Sequence, residues 1–186
     1  MNRPAPLYMR VTGDSWARLA DPIRCLHGTS SITRAHGRLR IEHGRHPVAR
    51  LLARALRLPR PHTSAVARLT ISAGSKGEVW ERAFGDTRLR TVQRGSAGEL
   101  IERFGVVEFR FRLDTSHGGL LYVQHQAAFV CWRVRLPIPA ACAPRVEARE
   151  DPAGAQRIQL DVRVMLPVIG SLISYAGVID VTETQP

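Results

Sequence analysis

The sequence predicts a mainly β fold, an antiparallel sheet closed into a barrel with a small helical part. Three observations predict it. From Val107 to Asp114 apolar and charged residues alternate, with Val107, Phe109, Phe111 and Leu113 opposed by Glu108, Arg110, Arg112 and Asp114. A period of two marks a half-buried strand, because successive side chains leave opposite faces of the pleat. Stretches of this kind recur between short turns from residue 31 to residue 181, giving about ten to eleven strands at the spacing of a barrel or sandwich. A long sheet with one apolar face must close or stack to remove its edges. Closure is the expectation, and a two-sheet sandwich is the alternative.

At 186 residues the chain is expected to form one domain, 1–186, large enough to bury a core. An N-terminal helical segment, 1–30, packs on a β domain, 31–181. Within the first, Gly13-Asp14-Ser15-Trp16 opens a helical stretch capped by Asp14 or Ser15, and Pro22 starts a second turn ending near His27-Gly28. Residues 31–42 alternate as the first strand. In the helix predicted over 47–58, Val48, Leu51, Leu52, Ala55 and Leu56 fall on one face, with Pro47 in the first turn and Pro59 as terminator. Strands follow at 65–71, 79–84, 88–94, 99–104, 107–113, 120–126, 128–136, 145–150, 157–164 and 171–181. In the strand through 128–136, Val130, Trp132, Val134 and Leu136 are read as the inner face, with Cys131, Arg133 and Arg135 outside.

This order of strand, helix and unbroken meander resembles calycin-type, lipocalin-like barrels, especially the fatty-acid-binding variety. The C-terminus lacks the long helix that ends the helix-grip lipid-binding folds.

The net charge of +11 invites an anionic partner. Lys76 is the only lysine, however, so the charge is nearly all arginine, which fits a compositional bias towards arginine. Phosphate binding to single strands also needs exposed aromatics for base stacking. The basic stretch Arg34 to Arg68 has none, so nucleic acid is not an expected partner. The more specific use of that stretch is contact with an anionic membrane surface through Arg50, Arg54 and Arg57, against the plainer reading of a helix that lids the barrel. The opening Met1-Asn2-Arg3-Pro4-Ala5-Pro6-Leu7 has no signal-like apolar run, and residues 165–181 are interrupted by Pro167, Gly170, Gly177 and Asp180. Cys25, Cys131 and Cys142 have no C-x-x-C spacing and read as reduced thiols, the last two buried. A cytoplasmic protein is the expectation.

No nucleophile elbow, Walker loop or dinucleotide fingerprint is present, so no catalytic residue and no cofactor is expected. His36, His43 and His46 cluster, but Gly44 turns the chain between the last two, so no metal site is expected either. The residues expected to line a ligand cavity are Phe109, Phe111, Trp132 and Trp80, with His125 and Tyr175 orienting a polar head.

Glu102-Arg103-Phe104-Gly105, then Phe109 to Leu113, Leu136-Pro137-Ile138-Pro139 and Pro144 to Glu150 resemble a bacterial family, domain of unknown function 4166. Trp16, Leu19, Arg24, His27, the segment Pro47 to Pro59, Leu166-Pro167 and Tyr175-x-Gly177 extend the resemblance over nearly the whole chain. Val134-Arg135 departs from it where the family tends to glycine. The resemblance implies members that stand alone or follow a saccharopine-dehydrogenase-like oxidoreductase domain, hence an oxidoreductase as a possible partner. It transfers no catalytic residue. The functional expectation is a non-catalytic module binding a small apolar or amphipathic ligand; the alternatives are an accessory domain of an oxidoreductase system and a catalytic barrel.

Overall fold

Alternation becomes strand through most of the chain. In a computed structural model, which describes residues 5–28, 31–132 and 134–185, eleven strands form one antiparallel sheet. They are β1 (Ile32–His43), β2 (His62–Gly74), β3 (Gly77–Phe84), β4 (Thr87–Ser96), β5 (Glu99–Phe104), β6 (Val107–Asp114), β7 (Leu120–Cys131), β8 (Val134–Pro137), β9 (Arg145–Pro152), β10 (Arg157–Leu166) and β11 (Gly170–Gln185). β1 to β7 pair in sequence, β7 pairs β9, and β11 returns to β1. The ring therefore closes with ten strands, and β8 hangs outside it on the end of β7.

Two helices, α1 (Leu7–Thr12) and α2 (Asp21–His27), close one end, the floor. α1 lies flat on β4 because Gly95 has no side chain; a Cβ there would stand 3.0 Å from Val11 and 3.1 Å from Leu7. At the other end, the mouth, α3 (Pro47–Ala55) spans the β1–β2 connection. It begins where the His46 ring accepts from the Val48 N–H at 3.2 Å, which satisfies one of the free donors of a helix start.

α3 sits with its small face inward. Ala49 and Ala53 are fully buried, whereas Val48 and Leu51 of the predicted apolar face are exposed. Close approach decides this. A Cβ at Gly44 would run into the Ser171 carbonyl and come 3.2 Å from the Ala49 Cβ, so the helix rests on the sheet only through small residues.

The two strands read at 120–126 and 128–136 are one long strand, β7, and a short separate one. The register of β6 against β7 slips between Arg110, opposite Gln126, and Phe111, opposite Gln124. One extra residue inverts the phase of everything after it. Ala127, opposite Phe109, is therefore buried, and Trp132 ends in the β7–β8 turn. Arg133 lies outside the described residues. All three cysteines are free and exposed, which corrects the expected burial of Cys131 and Cys142. Among the described residues no helix is long and apolar enough to cross a membrane.

Candidate functional site: the barrel interior

The inward face of the ring encloses a cavity of about 240 Å³. Its walls are mostly apolar, with Leu39, Phe84, Phe109, Phe111, Val162 and Ile173 among them. Leu26 of α2 meets it from the floor, and Leu56 and Leu58, just after α3, meet it at the mouth. Trp80 and Tyr175 also line it. Four expected lining residues thus share one interior because their phases agree across β3, β6 and β11.

Trp132 and His125 do not join them. Trp132 is 95% exposed. His125 occupies the bulge of β7 and points outward, its Nε2 3.1 Å from Glu99. The inserted residue displaces Trp132, whereas His125 is already out of phase with the buried Leu120 and Tyr122 before it. His43 meets the Pro59 carbonyl at 2.7 Å and His46 caps α3, so these two serve the α3 connection. Arg50, Arg54 and Arg57 are exposed at the mouth.

Polar side chains from several strands also meet inside the ring, a convergence that no single strand reveals. Arg82 of β3 donates to Thr91 Oγ1 at 2.9 Å and reaches Glu102 at 3.4 Å, its guanidinium 4.9 Å from the centre of the Trp80 ring. Burial opposes the charge on Arg82, but the Glu102 carboxylate and the nearby phenols outweigh it and raise its pKa. A guanidinium carries five N–H donors, and only two are engaged here among the described residues. The Tyr175 hydroxyl has no hydrogen-bond partner among the described residues either. Burial pushes its pKa up, and the Arg82 charge pulls it back.

A second network joins the floor helices to the wall. Tyr8 of α1 donates to Gln93 Oε1 at 2.8 Å and stands 3.1 Å from the Tyr122 hydroxyl, which donates to Glu150 at 2.9 Å. His27 of α2 meets the other Glu150 oxygen at 2.6 Å. The Gln93–Tyr8–Tyr122–Glu150 chain has three contacts but only two phenolic protons. Tyr8 directs its proton to Gln93 and Tyr122 directs its own to Glu150, so the Tyr8–Tyr122 approach brings two oxygens together with no proton left for it. Burial first, then the charge of Glu150, pushes both phenols well above their ordinary range. Glu78 accepts from Trp80 Nε1 at 3.0 Å, and burial outweighs that bond and raises its carboxyl. Its other oxygen and His27 Nδ1 are buried without a hydrogen-bond partner among the described residues.

The family model described as a domain of unknown function (DUF4166) matches residues 19–179, from just before α2 into the last strand. The chain belongs to this family. No curated protein and no solved structure matches it. The DUF4166 match takes in α2, the ring up to the last residues of β11 and every polar residue of the cavity, whereas Tyr8 and the rest of α1 precede it.

Proposed function

We propose that this DUF4166 barrel binds a small amphipathic molecule, with an alkyl or aryl part in the cavity and an uncharged carbonyl or hydroxyl head at Arg82 and Tyr175. The observation that carries this reading is a guanidinium with spare donors beside an unengaged phenol, in a mostly apolar cavity. Ligand sites share that composition, mostly apolar walls with a few convergent polar groups. At about 240 Å³ the space exceeds the roughly 150 Å³ apolar cavity that takes up benzene. Arg82 is already balanced by Glu102, so a neutral head is favoured: a carboxylate would approach Glu102 and Glu150, and an amine would face the guanidinium.

The test is thermal stability against a series of one chain length: the alkane, the alcohol, the methyl ketone, the fatty acid and the amine. The alcohol and the ketone should raise the melting temperature most, since a ligand that prefers the native state must stabilise it. Arg82→Met should remove their advantage over the alkane. If no member binds, the interior is packed core and the reading fails.

A catalytic reading finds its foothold in Glu150 and Tyr122, which both line the cavity. Their hydrogen bonds run to Tyr8 and His27 of the floor helices, however, so the cluster reads better as the anchor of those helices.

A further inference from the structure

The two ends of the barrel are built differently. At the floor the turns carry small or polar residues: Ser75-Lys76, Ala97-Gly98, Ser116-His117-Gly118 and Ala153-Gly154. At the mouth three hairpin turns put a large apolar residue at the tip. Val106 lies between β5 and β6, Trp132 between β7 and β8, and Val168 between β10 and β11, all exposed. α3 adds Val48 and Leu51 at the same end, Leu51 being 68% exposed. The β3–β4 turn at Gly85-Asp86 is the polar exception.

Two of these tips adopt backbone that apolar residues avoid. Val168 has φ 66° and Trp132 φ 55°. A β-branched residue in the left-handed region is strained, whereas glycine would sit there freely. Such strain tends to collect where a surface is used. Around α3 the charge is of one sign. Arg45, Arg50, Arg54, Arg57 and Arg60 are interrupted by no acid.

We propose that the mouth docks on an anionic lipid surface, with Leu51, Val106, Trp132 and Val168 entering the interface and the arginines of the α3 segment meeting the headgroups. A ring of separate apolar tips backed by cations suits a deformable plane. Tryptophan favours that depth, and amphipathic elements bind there by apolar burial plus attraction to anionic lipid. Leu56 and Leu58 carry the same segment to the cavity wall, so the docked face is also the doorway. This extends the ligand reading without resting on it, because ligand-free protein tests it alone.

The experiment is sedimentation of the full chain with vesicles of phosphatidylcholine alone and of phosphatidylcholine mixed with phosphatidylglycerol, alongside tryptophan emission. The protein should partition to the mixed vesicles, less so as salt screens the arginines, and its emission should shift to the blue. Trp132→Phe should still partition but lose the shift, which separates Trp132 from Trp16 and Trp80. Leu51→Glu with Trp132→Ala should lower partitioning about tenfold or more, with an unchanged melting temperature. Absence of partitioning overturns the proposal, as does partitioning that the double variant leaves intact. Concentration-dependent self-association without vesicle binding, abolished by the double variant, also overturns it and assigns the face to a second copy.

Discussion

The hydroxyl of Tyr8 donates to Gln93 Oε1 at 2.8 Å and so ties the first helix to the fourth strand, both side chains fully buried. The Tyr8 ring also lies 3.8 Å, centre to centre, from His27, so one residue engages the other floor helix as well. Tyr8→Phe keeps the ring and removes the donor. A buried acceptor left unpaired costs about 1–3 kcal/mol. That loss should appear in equilibrium denaturation; an unchanged midpoint would show that the tie is dispensable.

Glu78 should make the fold depend on pH. Its carboxyl is raised above the ordinary 4.5, chiefly by burial. A carboxyl with a raised folded pKa favours folding while it is protonated. The contribution is complete below the unfolded value and is lost as pH rises through the folded one. Glu78→Gln still accepts from Trp80, so it should be more stable than the wild type at neutral pH and equal to it in acid. Parallel stability–pH curves would remove Glu78 from the account.

Glu108 should act in the opposite sense. Its side chain is buried on the outer wall beneath Arg135 at 2.9 Å, Arg94 at 2.8 Å and Arg110 at 3.6 Å. Burial pushes its pKa up, but these cations, Arg135 first, hold it below 4.5. Its contribution is therefore present above the unfolded value and lost as pH falls through the folded one. Because Arg135 belongs to β8, Glu108→Ala should also free that strand. Faster amide exchange over residues 134–137, with the ring still protected, is the expected readout.

Two aromatic truncations should behave oppositely. Phe111 is buried against Tyr122, ring centres 5.9 Å apart, so Phe111→Ala should cost about 3–5 kcal/mol. Trp132 is 95% exposed, so Trp132→Ala should leave the melting temperature within error. A large loss at Trp132 would mean that it packs inside after all.

The sequence by itself determined the strand content and most of the turns, because period two is local; it favoured closure, since an apolar face has to be covered, but a stacked sandwich would cover that face as well. It placed Phe109 and Phe111 inside correctly, since their strand keeps one phase from end to end. It also placed α3 between β1 and β2. Only the tertiary structure decided which face α3 buries, because the close approach at Gly44 and Ser171 joins residues far apart in the chain. The phase of β7 beyond Gln124 was decided in the same way: a bulge exists only relative to a partner strand. The polar cluster was illegible for a related reason. Arg82, Glu102, Tyr175 and Glu150 come from four strands, each carrying only one or two polar residues on an otherwise apolar face. Barrel closure, not spacing along the chain, brings them to one cavity.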